Sequence, residues 1–515
     1  MAVRLAYWNG YYAEDAPGYV ADAAWFALGN YHARDYVNGL NVGTYIPVAV
    51  PLFLFGKSEF ALSLWPLACS LLGTLSMAGA AGLLFGRPAA LLGAFLYATY
   101  PGDVFFSTVV MPDSLQAGWL TASVFLVVLA HSDRVARKLT TLAAAGVAMG
   151  ACHLIRANDA MLVPVGVTAV AACSAWWKRE PSSVLLRSCG IYLAGVAAVY
   201  VIEGGAYLWS VGDFLHRLNV VARHYGSAAS IAAAGLNTDP RTIPFSIVPP
   251  LTWWRQGWQP LTHEQSYHGL LFVLALVMLA LGLGTAAMSR SRLNGREFAG
   301  AAMALAWLLW PIVYHQFGSQ SLIAYVPMHR LSRHLVVYGP GAIFAVVVGS
   351  CLTAGAMRHW RPPAYRLALM VAGSVLGIHL WFNWAAEEIA HGDYQRIKGT
   401  YRRILEHLLE QSPADVPAIV ADSGDLAYFD FWMNPLGRQV VRMVPFAGVA
   451  GCDAIGAGAV LTFSNDGWER LNAPIIRETV GRLPCLLEPP PGWRLVYDGY
   501  PERVYLVAGT PDAAQ

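Results

Sequence analysis

Stretch after stretch of this chain is apolar for about as many residues as a helix needs to cross a bilayer, roughly 20. The runs are 60–85, 88–105, 114–131, 139–156, 158–177, 188–210, 267–288, 297–317, 335–356 and 366–386. Inside hydrocarbon every backbone polar group must be satisfied within the segment itself, so such runs have to be helices. Composition agrees: the chain is 56% hydrophobic and only 13% charged, whereas soluble domains carry about 25% charged residues. A net charge of +2 without a basic run excludes a nucleic-acid partner. The fold class expected is an α-helical polytopic membrane protein.

The short connections with arginine or lysine are at Arg87, Arg134 to Lys138, Lys178 to Arg187, Arg290 to Arg296, and Arg358 to Arg366. They are every second loop along the chain, and basic residues resist translocation, so this set should be cytoplasmic. The segments between them are then external: 1–59, 106–113, the turn near 157, 211–266, 318–334 and everything after 386. MAVRLAYWNGYY has no apolar core of a signal peptide, so the expectation is a further span upstream of residue 1.

Past the last span the character changes. Residues 393–411 are spaced as an amphipathic helix. AIVADS, QVVRMV, AVLTFS, WRLVYDG and RVYLVAG follow as short β-rich runs between turn residues. Three regions result: 1–59, a first external loop with amphipathic helices and an acidic motif; 60–386, the multi-span domain; and 387–515, a small extracytoplasmic α/β domain. Five of the seven cysteines lie in apolar runs and act as small hydrophobes. Cys452 and Cys485 lie in the polar tail, where an oxidising space would allow them to pair and a reducing one would leave two thiols.

Two acidic motifs fall on the outer side. In the first, Glu14 and Asp15 precede a helix on which Asp15, Tyr19 and Asp22 share a face. A partly desolvated carboxylate there can act as general base, or it can simply cap a helix starting near Pro17. In the second, Asp103 follows Tyr100-Pro101-Gly102, and Asp113 follows Pro112 at the start of a span. Each would also serve as a helix-dipole partner. Cations lie on the same side: Arg156 with His153 one turn before it, then Arg330, Arg333 and His334 ahead of a late span. Arginine at a membrane edge often only snorkels to headgroups, but the Arg333 and His334 pair can offset the charge of a departing phosphate. Trp253, Trp254, Trp258 and Tyr267 suit stacking on sugars or an interfacial belt equally.

The order YxxEDxxGY, NGLNVGTYIP, a Pro-Asp at the next outer loop, LIRANDAMLVP and HRLSRHLVVYGP resembles the GT-C superfamily, specifically glycosyltransferase family 39 and its aminoarabinose-transferase relatives. The resemblance implies a GT-C-like bundle with a C-terminal α/β domain. It gives Asp15, with Glu14, the first acidic role and Asp113 the second. It sets Arg333 and His334 at the late Arg-aromatic pair, with histidine in place of tyrosine. This chain departs from the family in lacking a span before the first motif. It also has Tyr45-Ile46-Pro47 where many members place Lys or His beside Pro-Pro, a phosphate contact for which Arg156 is the substitute. The implied donor is a polyprenyl-phosphate-linked sugar held in membrane lipid, with the acceptor unknown. No cofactor is required, although the carboxylates leave room for a divalent cation. The implied location is the bacterial inner membrane, with the active site and tail on the periplasmic side.

In the expected mechanism Asp15 deprotonates an acceptor hydroxyl that displaces the lipid phosphate with inversion. Arg333, His334 and Arg156 stabilise the leaving charge. A secondary transporter or flippase is the main alternative, favoured by Glu203 beside Gly204 and Gly205 within a span. A non-catalytic scaffold would have no use for acids and cations gathered on one face.

Overall fold

The computed structural model describes residues 1–11, 16–31, 33–156, 162–225, 271–288, 293–317, 336–357, 362–410, 418–421, 423–436, 438–455, 458–463, 481–486, 488–490, 493–499 and 502–507. Before the first basic loop come α1 (Ala2–Ala6), α2 (Ala16–Ala27), α3 (Val42–Phe55) and α4 (Glu59–Phe85). Next are α5 (Arg87–Ala98), α6 (Pro101–Phe106), α7 (Pro112–Ala130), α8 (Lys138–Ile155), α9 (Val163–Ala172), α10 (Ser182–Val211) and α11 (His216–Tyr225). The remaining helices used below are α12 (Leu271–Met288), α13 (Gly295–Phe317), α14 (Gly339–Met357), α15 (Pro362–Glu410) and α16 (Ser423–Met433).

Among the described residues, six helices are long and apolar enough to cross a membrane: α4, α7, α8, α10, α12 and α14 with the turn before it. The chain is a multi-pass membrane protein. Four of the ten expected spans differ: the run 297–317 is a single helix, α13, that is not among those six, and three others take a different form. The run 88–105 is two helices, α5 and α6, because Pro101 forces Tyr100 into an extended conformation at φ −74° and ψ 116°. Residues 157–161 lie outside the described residues, and α9 continues only as a π-helical turn over Cys173–Trp177, giving a shorter apolar helix. The span 366–386 and the amphipathic helix 393–411 are one helix, α15, in which no proline follows Pro363 to stop it.

The chain divides into two compact units. The first comprises Met1–Trp8, His32–Pro47 and Ser63–His391. Within it α8 packs against α7 and α10, and α12 against α14. Small residues let the helices touch: a Cβ on Gly146 would lie 2.0 Å from the Tyr192 carbonyl oxygen, and one on Gly195 2.3 Å from that of Ala143. At the opposite end from Asp113, Lys178 Nζ reaches Asp133 at 2.7 Å, and Lys138 Nζ reaches Glu180 Oε2 at 2.7 Å. Arg296 lies over the Trp177 ring at 5.2 Å. Three of the basic loops therefore meet at one end of the bundle, as their alternation in the sequence requires.

The second unit comprises Asn9–Tyr31, Val48–Leu62 and Gly392–Gln515. Residues 1–59 thus divide between the two units. All five β-rich runs form strands: β1 (Ala418–Ala421), β2 (Arg442–Pro445), β3 (Gly458–Phe463), β4 (Trp493–Gly499) and β5 (Glu502–Val507). Their order in the sheet is β2-β1-β3-β5-β4. β1 runs parallel to both neighbours, and the β3-β5 and β4-β5 pairs are antiparallel. β1 is buried throughout, as befits a strand with partners on both edges. Tyr11 packs on Tyr428, Phe431 and Trp432. Cys452 and Cys485 form a disulfide beside a core of Phe446, Leu483 and Tyr505.

Candidate active site

Asp113 sits in the first turn of α7, with Met111 extended and Pro112 opening the helix. Proline suits that position because no helical partner awaits its missing N–H, and the carboxylate favours the positive end of the helix dipole. Arg156 caps the far end of α8 in an extended conformation. The connection 131–137 folds α8 back along α7, so the end of one helix meets the start of the other. Arg156 Nη1 donates to Asp113 Oδ1 at 3.3 Å, with the side chains 18% and 3% exposed.

The end of α8 that presents Arg156 is pinned from several directions. The Arg156 N–H closes on the Cys152 carbonyl at 3.1 Å, and the carbonyls after it have no partner in the helix itself and must find one elsewhere. Gln116 Nε2 donates to the Cys152 carbonyl at 3.3 Å, and Thr44 Oγ1 to that of Ile155 at 2.9 Å. Arg217 Nη1 donates to the His153 carbonyl at 3.2 Å. The same guanidinium donates to the Leu40 carbonyl at 2.5 Å, and its Nε donates to Glu203 Oε1 at 2.7 Å. Glu203 is therefore the counter-ion of Arg217, and its position inside a span reflects this pairing. The transporter reading loses its supporting residue.

Asp103 has a different environment. In α6 it accepts from Arg4 Nη2 at 2.5 Å and from the Ser70 hydroxyl, which in turn accepts from Arg4 Nε. Arg4 also donates to Thr74 Oγ1 at 3.3 Å. Both charged side chains are 0% exposed. Asp103 is fully buried, because the short helix turns it inward onto Arg4. Tyr19 is buried in α2, within the second unit, with Asp22 on the same buried face. Glu14, Asp15, Arg330, Arg333 and His334 lie outside the described residues, as do Trp253, Trp254, Trp258 and Tyr267. Of the residues singled out from the sequence, the structure thus brings together Asp113 and Arg156. Among the described residues no cluster of three or more His, Cys, Asp or Glu side chains could hold a metal ion.

Sequence reading missed Arg4, Arg217 and Thr44. Glu203 was a usable signal, since a carboxylate inside a span calls for a nearby cation, and Arg217 follows 14 positions later. Arg4 carried only the weaker hint of a single charge in an apolar hexapeptide.

Residues 47–203 match the sequence model of the dolichyl-phosphate-mannose-protein mannosyltransferase family. The matched stretch holds Asp103, Asp113 and Arg156. No curated protein sequence matches the chain. Among solved structures, it is similar to ArnT from Cupriavidus metallidurans bound to undecaprenyl phosphate, at 13% identity and a TM-score of 0.57, covering 98% of this chain and 97% of that one. It is also similar to the apo oligosaccharyltransferase of Archaeoglobus fulgidus, at 14% identity and a TM-score of 0.52, covering 98% of this chain and 74% of that one. At these identities the likeness is one of fold. The architecture is a helical membrane bundle with a small α/β region at the C-terminus, a fold like that of these two structures.

Proposed function

We infer that this chain, a membrane glycosyltransferase of the GT-C type, takes a sugar from a polyprenyl-phosphate donor and passes it to an acceptor hydroxyl or amine at the outer face of the membrane. The observation that carries the reading is the Asp113–Arg156 pair: a guanidinium held by a carboxylate at a helix end, and still partly exposed. Its setting within the stretch matched by a mannosyltransferase family, and the likeness of fold to an ArnT bound to undecaprenyl phosphate, support the choice of donor.

In this mechanism the lipid lies between helices with its phosphate at the outer surface. Asp15, with Glu14 beside it, removes the proton from the acceptor as that atom attacks the anomeric carbon. Attack opposite the phosphate inverts the configuration. The C–O bond to phosphate breaks, and the growing negative charge is met by Arg156, Arg333 and His334, with Arg330 as a further contact. Asp113 keeps the Arg156 guanidinium at the required place and angle, and Tyr19 lies four residues beyond Asp15 on the buried face of α2. The leaving lipid phosphate is neutralised by cations of the chain, so no cofactor is needed. A location on the outer side of a bacterial inner membrane fits the arginine-bearing loops at the other end of the bundle and the Cys452–Cys485 disulfide, which is stable in an oxidising compartment.

The test is to incubate the purified protein with a panel of labelled polyprenyl-phosphate sugars, with and without a chelator, and to follow release of the lipid phosphate. Release with at least one donor, insensitive to chelator and abolished by Asp15→Asn without loss of lipid binding, is the expected result. A folded protein that releases no lipid phosphate from any donor would overturn the reading.

A further inference from the structure

At the end of the bundle away from Asp113 and Arg156, the last turns of α4 and α7 leave an open furrow of about 400 Å³. Leu83, Ala90, Phe125 and Leu129 give it apolar walls, and Arg87 and Arg134 complete the lining. A second cavity of about 690 Å³ adjoins it, since Gly82, Leu83 and Arg134 line both. The second cavity is polar, with Asp133, Asn294, Arg296 and Glu297 around it.

The charges in this region are unevenly matched. Asp133 is occupied by Lys178 at 2.7 Å. Glu297 Oε2 accepts from the Asn294 backbone N–H at 2.9 Å. Arg296 is stacked over Trp177. Among the described residues no carboxylate is paired with Arg87 or Arg134, and both are exposed. Their depth is informative. α4 ends at Phe85 and α7 at Ala130, so the furrow occupies the final turns of two spans and the arginines stand just beyond them. That is the level at which lipid phosphates meet water, and where a long cation extends its head toward them.

We propose that this furrow binds one anionic phospholipid, with the upper part of an acyl chain along Leu83, Phe125 and Leu129 and the phosphate against Arg87 and Arg134. An amphiphile with an anionic head matches an apolar trough that opens onto uncompensated guanidinium groups. A zwitterionic lipid matches it less well, because it brings a second cation to the same place. The site is at the opposite end of the bundle from the transfer site, so it stands or falls independently of the proposed activity.

Native mass spectrometry of the full chain, titrated separately with phosphatidylglycerol and phosphatidylcholine, tests it. One phosphatidylglycerol should be retained at about tenfold lower lipid concentration than phosphatidylcholine, since two arginines face its charge. The double variant R87Q/R134Q should lose that preference. R137Q removes an exposed charge from the same loop that lines neither cavity, and should keep it. Both arginines are on the surface, so the variants remain folded, which a thermal melt checks. Equal retention of the two lipids, an equal loss in R137Q, or displacement of the lipid by glycerol 3-phosphate at matched concentration would each overturn the site.

Discussion

Two carboxylate–arginine pairs in the first unit share one sequence signature and have unlike surroundings. Asp103 and Asp113 both lie in the first turn of a helix opened by proline. Asp103 meets Arg4 with both side chains sealed from solvent, and Ser70 closes the triangle. Asp113 meets Arg156 at the rim, with the arginine 18% exposed. A fully buried pair is costly to desolvate and severely destabilising to break, because the survivor is left charged in a dry place. A pair at the rim can exchange part of its interaction for a ligand. The same local chemistry therefore serves cohesion in one case and, on the proposed function, catalysis in the other.

The largest effect expected is on cohesion. Arg4→Ala should cost about 3–5 kcal/mol of stability by stranding Asp103, read as a lowered melting temperature in detergent. Turnover should fall only in proportion to the folded fraction. If Arg4→Ala melted like the parent but lost activity, the two pairs would have to exchange roles.

Arg156→Ala should do the reverse. Loss of one preorganised electrostatic contact typically costs about 10²–10³ in turnover, and the melting temperature should fall less than in Arg4→Ala, because Arg156 is itself partly solvated although Asp113 is buried. Arg156→Lys should recover part of the rate, since it keeps the charge and loses the planar fork. A rate unchanged in Arg156→Ala would remove this residue from the mechanism.

An intermediate effect is expected at the support. Glu203→Gln weakens the hold on Arg217, which bridges the Leu40 and His153 carbonyls. About 1–3 kcal/mol of stability should go, with turnover reduced less than in Arg156→Ala. Should stability fall with no change at all in turnover, the bridge would belong to cohesion alone.

The smallest effect concerns the ion pair at the far end. Burial raises the Glu180 carboxyl, but the hydrogen bonds from Lys138 and Ser174 outweigh it and hold it below its ordinary 4.5. A depressed carboxylate contributes stability above its unfolded value, and that contribution is lost as pH falls through the folded value. Glu180→Gln should therefore cost less than about 1 kcal/mol near neutral pH, and the difference from the parent should vanish below the folded value. A melting-temperature series against pH measures it. A difference that persisted or grew in acid would reverse the sign assigned to the pair.

The sequence by itself determined the solvent, the grouping of three basic loops at one end of the bundle and the strands of the tail. Those follow from local properties: the length of apolar runs, the alternation of arginine-bearing connections and the period of β-rich segments. It also marked Asp113 and Arg156, each by its place at a helix end. Only the family resemblance set Asp113 apart from Asp103; their local patterns are alike and left their surroundings open. Only tertiary structure decided that, by turning α6 inward onto Arg4 of α1, nearly a hundred residues away in sequence, and by laying α8 back along α7. It also supplied Glu203 with Arg217. Exposure and charge pairing depend on which helices become neighbours, and no run of adjacent residues encodes that.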